Sequence, residues 1–317
     1  MYSAQVSKSL SIDDQVKCIY VAIQHLEHDR STVEIAEELG ISRFMVGRMI
    51  KRARDEGLIE VVPKMIDPID VKLSSALASK FKLQAAYAVV PAIDTLEQTR
   101  STISAFAAKV LAETVQEDDT IGLAAGRTIL EMCTQISELP TCDIVQITGV
   151  ATTDANESMH AVMTLSSIAR GRMYPLHAPF VTTDARAGEA IAAQPGVKQA
   201  LNRMNGIDKA VLSVGGFPND ALLAEQARVL GELDRLAEAG LVAEIGTTLL
   251  DADGNPLDVL AGRMVGITTE QLRQVPLKLV VAGTEGKHRA ILAALRAGLV
   301  DVLVTDANTA RFVLENA

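Results

Sequence analysis

The chain has 317 residues, 48% hydrophobic and 22% charged, with 40 acidic against 30 basic side chains and a formal net charge of −10. That length favours two domains, the composition is that of a folded soluble protein, and no apolar run is long enough to span a bilayer. The negative balance excludes non-specific coating of nucleic acid or membrane, so any DNA contact must come from a local patch. The stretch MYSAQVSKSLSIDDQVK lacks the apolar segment of a secretory signal. Cys18, Cys133 and Cys142 match no metal spacing and leave no even pairing, so a reducing cytoplasm without a metal site is expected.

A first helix is expected from about Asp13 to His28, with Val16, Ile19, Tyr20, Ile23 and Leu26 on one apolar face. Ser31 then opens a second helix through a capping box with Glu34, and Val33, Ile35, Ala36 and Leu39 supply its buried side. Gly40 ends it in a left-handed conformation. Ser42 caps a third helix whose apolar positions are Met45, Val46, Met49, Ile50 and Ala53; Gly57 stops it, and LIEVV reads as a short strand. PKMIDPID, with two prolines and no period, reads as a linker, giving a head over 1–62, a linker over 63–69 and a large domain over 70–317.

In the large domain an amphipathic helix, VKLSSALASKFKL, leads into an apolar strand, AAYAVV, and a long helix from about Leu96 to Val115. Short apolar runs then alternate with helical segments: TIGLAA, CDIVQIT, KAVLSVG, LKLVVAG and VDVLVTD. Continuous rather than alternating apolarity suits strands buried on both faces of a parallel sheet, and the alternation with helices makes the class α/β. LVAEIGTTLLDADGNPLDVL interrupts the pattern; its Asp253-Gly254 turn suggests a hairpin at the sheet edge.

On the third helix the residues not needed for packing include Ser42, Arg43, Phe44, Gly47, Arg48, Lys51, Arg52 and Arg54, with no acid before Asp55. A helix fits the major groove of duplex DNA, its first residues meeting base edges and its later cations reaching phosphates. Arg43 and Arg48 are the candidates for base contact, since arginine can read guanine with two hydrogen bonds; Lys51 and Arg52 suit phosphate. The alternative is a solvated face of a helical hairpin. The spacing of Ala36, Gly40, Ile41, Val46 and Met49 fits a helix-turn-helix and favours the DNA reading.

EIAEELGISRFMVGRMIKRARDEGLIEV resembles the DNA-binding head of the SorC family of bacterial transcriptional regulators. IGLAAGRTILEM, LSVGGF, GLVAEIGTTLLDADGNPLD and VVAGTEGKHRAILAALRAGLVDVLVTDANTA follow the order and spacing of that family's sugar-binding domain. The resemblance covers nearly the whole chain. It implies a small helical head followed by a Rossmann-like α/β domain with the fold of sugar-phosphate isomerases and deaminases and a β-hairpin insertion. It also implies operator DNA as a partner, a sugar, polyol or sugar-phosphate effector, and a tetramer.

The residues agree with that implication. GLAAGRT joins a strand to a helix, so Ala125, Gly126, Arg127 and Thr128 sit where backbone N–H groups attract an anion. AGTEGK repeats the arrangement, with Gly283 and Gly286 allowing close approach and Lys287 opening the helix. Ligands of open α/β sheets bind beyond the carboxyl ends of the strands, where both loops should lie. The resemblance makes Glu244 the acid that contacts sugar hydroxyls and puts Pro179 and Phe180, in YPLHAPF, near the ligand; Gly149 completes the expected effector set.

Each element has an ordinary reading too. Arg127 can point outward and pair with Glu131, four residues on. AGTEGK is too short for a Walker loop, and Lys287 alone could be a surface cation. The first loop has Ala124 and Ala125 where many family members carry further glycines, and AGT replaces the usual AGG. Both changes narrow the approach of a phosphate and leave a neutral sugar or polyol open. The competing function is an isomerase- or deaminase-like enzyme with an added head. Catalysis needs a positioned acid–base pair, and His25, His28, His160, His177 and His288 form no such constellation, so a non-enzymatic regulator without a cofactor is expected.

Overall fold

The computed structural model describes residues 10–60, 68–150 and 155–317, and its first three helices each begin on a serine. Ser11, Ser31 and Ser42 accept the backbone N–H three residues on, opening α1 (Ile12–Leu26), α2 (Thr32–Leu39) and α3 (Arg43–Asp55). Ser31 and Glu34 form the expected reciprocal capping box, and Gly40, at φ 65°, closes α2. The chain divides into two compact units, Met1–Met65 and Ile66–Ala317. The expected linker falls largely on 63–67, outside the described residues.

The buried side of α1 differs from the expected one. Cys18, Val21 and Ala22 are buried, whereas Val16, Tyr20 and Leu26 are exposed. Val21 meets Ile35, Ala36, Val46 and Ile50, while Cys18 and Ala22 meet Ala53. Small residues let α1 and α3 approach closely, so the contact runs along them rather than along the bulkier stripe. Val33, Leu39 and Met45 are also exposed. Tyr20 instead hydrogen-bonds Glu38, which pairs with Arg30 at 2.5 Å. LIEVV does not begin as a strand: Leu58 and Ile59 are half-buried beside Cys18 and Ala53, their N–H groups on the Ala53 carbonyl, and Val61 and Val62 lie outside the described residues.

The second unit opens with α4 (Val71–Phe81), β1 (Ala85–Val89), α5 (Leu96–Thr114), β2 (Thr120–Leu123), α6 (Arg127–Gln135), β3 (Cys142–Gln146), α7 (Ala155–Ala169) and β4 (Arg170–Tyr174). It continues through α8 (Ala185–Ala192), α9 (Pro195–Arg203), β5 (Lys209–Leu212), β6 (Val214–Gly216), α10 (Leu222–Leu230), α11 (Leu233–Glu238), β7 (Ala243–Ile245) and β8 (Thr248–Leu250). It ends with α12 (Thr269–Gln274), β9 (Leu277–Val281), α13 (His288–Arg296), β10 (Val302–Asp306) and α14 (Ala307–Glu315). Seven strands form a parallel sheet in the order β1-β10-β9-β5-β2-β3-β4.

Successive strand residues alternate between two apolar layers. Leu303 joins the layer of α4, α9, α13 and α14, while Val302 and Val304 join that of α5, α6 and α7. Both faces are covered, which is why the strands read as continuous apolar runs. The edge strand β4, RGRMY, was not foreseen: its residues are half-buried or exposed, and two arginines break the apolar signal. The hairpin is displaced from its expected place. It is β7–β8, turning at Gly246-Thr247, and it joins β6 in a separate antiparallel sheet rather than the edge of the large one. The Asp253-Gly254 turn lies just beyond, where Leu250 pairs with Pro256.

The α1 contact yields a test. Val21→Ala should lower protection of the head's amides against hydrogen exchange in the full chain by about 2 kcal/mol. Val16→Ala should leave it within about 0.5 kcal/mol.

Candidate functional site

The connection leaving β2 runs to β3 on one side, and the chain leaving β5 returns to the sheet as β9 on the other. Parallel sheets open a crevice where neighbouring connections diverge in this way. A cavity of about 330 Å³ lies there, a size suited to a small organic ligand. Its lining comes from Ala124 to Thr128 after β2, Thr148 after β3, Ser213 after β5, and Gly283 and Thr284 after β9. Leu96, Arg100 and Ile103 of α5 form one wall, and Asn219 to Leu222 with Glu244 form another.

The loop after β2 is held by the Ala125 N–H on Thr148 Oγ1 at 2.9 Å. Gly126, at φ 147°, precedes α6 with no side-chain cap, and the Thr128 carbonyl accepts from Ser104 Oγ. The loop after β9 is held by Asp306, whose Oδ2 accepts the Thr284 N–H at 2.8 Å and the Thr309 hydroxyl at 2.6 Å. Gly283 touches this carboxylate so closely that a Cβ would stand 2.4 Å from Asp306 Oδ2. Its glycine therefore serves contact with Asp306. Thr284 sits at φ 80°, ψ 153°, a region that costs a side-chain-bearing residue about 1–3 kcal/mol.

Of the expected effector residues, Ala125, Gly126, Arg127, Thr128, Phe180, Glu244, Gly283 and Lys287 line this one cavity. Three do not. Gly149 is pressed against the chain, where a Cβ would meet the Pro179 carbonyl at 2.5 Å. Pro179 pairs with Val150 and is exposed outside the cavity lining, although Phe180 beside it is fully buried. Gly286 lies behind Lys287 with its carbonyl against Gly216. Sequence reasoning missed Arg100, Thr148, Ser213, Asn219, Asp220 and Thr284; of these Thr148, Ser213 and Thr284 stand inside quoted segments, CDIVQIT, LSVGGF and AGTEGK.

Arg127 does not pair with Glu131. Its Nη2 donates to Asp220 Oδ1 at 3.3 Å, while Glu131 accepts from Arg100 at 3.0 Å. The Lys287 ammonium stands 3.9 Å from the same Asp220 oxygen, on a side chain only 14% exposed, so it is no free surface cation. Burial pushes its pKa down from 10.5, opposed by Asp220 and Glu244. Glu244 has its own structural duty: Oε1 and Oε2 accept the Leu222 and Leu223 N–H groups, at 2.7 and 2.9 Å, at the start of α10. Burial lifts its pKa to about 7, against the two N–H donors and Lys287.

In the head, Ser42, Arg43, Phe44, Gly47, Arg48, Lys51 and Arg52 are all exposed on α3. The Arg43 guanidinium lies 5.1 Å from the Phe44 ring centroid. Arg52 pairs with Glu56 at 2.9 Å, whereas Arg48 and Lys51 form no ion pair among the described residues. Helix α3 thus presents a cationic face with Arg48 and Lys51 uncompensated.

Residues 69–315 match a family model described as "Putative sugar-binding domain". The chain belongs to this family. Along 96% of its length it is 26% identical to the sorbitol operon regulator of Klebsiella pneumoniae, covering 99% of that protein. It is 24% identical to the deoxyribonucleoside regulator of Bacillus subtilis (strain 168), over 96% of this chain and 99% of that one. The crystal structure of the full-length sorbitol operon regulator SorC from Klebsiella pneumoniae has the same fold, with a TM-score of 0.71 at 22% identity over 95% of this chain and 99% of that one.

Glu244 gives this family member a pH-dependent stability. Its carboxyl is lifted from 4.5 to about 7 in the folded state, so the stabilisation it gives is complete below pH 4.5 and fades as pH rises through about 7. Glu244→Gln should flatten that slope in melting temperatures taken from pH 5 to 8. It should also cost about 1–3 kcal/mol below pH 7, because its amide nitrogen cannot accept from the α10 N–H groups.

Proposed function

We propose that the chain is a DNA-binding transcriptional regulator whose hold on its operator is controlled by a sugar, polyol or sugar-phosphate effector in the second unit. The observation that carries the reading is the cavity at the divergence of β2 and β5, within a domain of the sugar-binding family. Its rim offers hydroxyls from Thr128, Thr148, Ser213 and Thr284, the kind of lining that exchanges hydrogen bonds with a polyhydroxylated ligand. The regulator names of the relatives support the same reading.

The first unit supplies the DNA contact. Helices α2 and α3 with the turn at Gly40 form a helix-turn-helix, and α3 enters the major groove with Arg43 and Arg48 at base edges and Lys51 at phosphate. Arg52 contributes less than the sequence suggested, because Glu56 already compensates it. The protein acts in the cytoplasm as a homo-oligomer, a tetramer that presents paired heads to two half-sites. The effector shifts the packing of the copies only by its differential affinity for the two arrangements.

Arg48→Ala should weaken binding to the chain's own promoter fragment by about 1–3 kcal/mol in a mobility-shift titration. Effector binding, followed by calorimetry with a panel of sugars, polyols and their phosphates, should be retained. Lys287→Ala should do the reverse, leaving DNA binding intact and deaf to the panel. A Lys287→Ala protein that responds like the parent removes this cavity from the mechanism. Turnover of any panel member would replace the regulator with an enzyme.

A further inference from the structure

The cavity's cations are not equally compensated. Arg100 is paired with Glu131, and Glu244 is committed to the Leu222 and Leu223 N–H groups. Arg127 and Lys287 are left to share one oxygen, Asp220 Oδ1, at 3.3 and 3.9 Å. The second distance is beyond hydrogen-bond length, and the Lys287 ammonium makes no hydrogen bond among the described residues. An ammonium without a protein hydrogen bond, lining a cavity, keeps its donors available to a better-placed anion. Glu225 lines the same cavity, so Asp220 and Glu225 join Glu244 as its carboxylates.

Asp220 hangs its carboxylate from a firmly held backbone. It closes a tight turn between β6 and α10 whose only ladder is a reciprocal pair, Gly216 N–H to the Asp220 carbonyl and Asp220 N–H to the Gly216 carbonyl, each 2.7 Å. Beyond its side chain lies Gly286, where even an added Cβ would stand 3.6 Å from Asp220 Oδ2. Gly286 has no Cβ, so the space one would fill in contact with Asp220 is left open to the carboxylate.

We propose that Asp220 is a resident stand-in for the ligand's anionic group. In the free protein its carboxylate holds Arg127 and Lys287, and a sugar carrying one phosphate or carboxylate takes both cations by expelling it. Asp220 thereby sets specificity: a neutral sugar leaves it seated, whereas an anionic one must compete with it and swings its side chain off the cations. This inference rests on the sugar-binding reading and adds the charge of the ligand and the residue it replaces.

The test is Asp220→Asn in the full chain, which keeps the shape and removes the charge. By calorimetry, inorganic phosphate and hexose or pentose monophosphates should bind about tenfold more tightly than to the parent, a modest coupling for groups sharing a site. Neutral hexoses and polyols should change by less than about twofold, since they do not contest the cations. Asp220→Glu, which restores the charge, should return parental affinities, and Arg127→Gln added to Asp220→Asn should erase the gain. Aldonates included in the titration separate the sources: a gain limited to phosphates assigns the phosphate, and an equal gain for aldonates assigns any single anion.

The proposal is overturned if Asp220→Asn binds phosphate and sugar phosphates no better than the parent, or if neutral sugars gain as much. Sugars that bind the parent while Asp220→Asn makes no distinction sink the stand-in and leave the sugar-binding reading standing. A gain for inorganic phosphate, with no sugar of any charge binding either protein, does the opposite.

Discussion

The Glu244 carboxylate is the joint on which the cavity end of the second unit depends. It reaches from the middle of a three-stranded sheet to the first two N–H groups of α10, tying the sheet to the helix. Across the strand pair stands Gly215, and a Cβ there would come within 2.6 Å of Glu244 Oε1, so the carboxylate occupies the space that any larger residue would fill. Taken together, these contacts fix where α10 starts, and therefore where the turn bearing Asp220 ends. The cation pair across the cavity inherits its geometry from a helix cap.

This gives the acid in the cavity wall a structural duty. Its two backbone donors take about two of the four acceptor sites of the carboxylate, which also sets the field in which Lys287 sits. The same cavity wall carries the hydroxyls of Thr148, Ser213 and Thr284 and the guanidinium of Arg127; of these, Thr148 already accepts the Ala125 N–H and Arg127 already donates to Asp220. The replacement of a glycine by Thr284 fits the same logic. Its strained backbone brings a hydroxyl-bearing side chain to the cavity wall, and Asp306 holds it there through the amide.

Much of this was legible in the sequence because period and punctuation are local. Serine caps, Gly40, the apolar runs of β2, β3, β5, β9 and β10, and the two strand-to-helix loops each carry their signal within a few residues. What escaped depends on distant partners. The buried side of α1 differs from the stripe of bulky residues that includes Val16 and Tyr20, because close helix contact rewards the small Cys18 and Ala22. Asp220 and Arg100 belong to no motif, since their roles arise only when α5, α6 and the turn before α10 converge. Gly149, Pro179 and Gly286 failed for the complementary reason: proximity along the chain to a cavity residue does not place a neighbour in the cavity.

The large sheet has two open borders, and the chain treats them differently. Along β1, residues 68–70 lie against the strand, with the Asp70 N–H on the Ala88 carbonyl and the Val90 N–H on the Pro68 carbonyl, so that rim is roofed by its own backbone. Along β4 nothing comparable is present among the described residues, and the strand carries exposed Arg170 and Arg172 instead. Like charges on an unpaired rim repel a second copy approaching in register, which discourages sheet-to-sheet polymerisation at high concentration. The arginines that hid β4 from its hydrophobic pattern are thus what keep the sheet from growing.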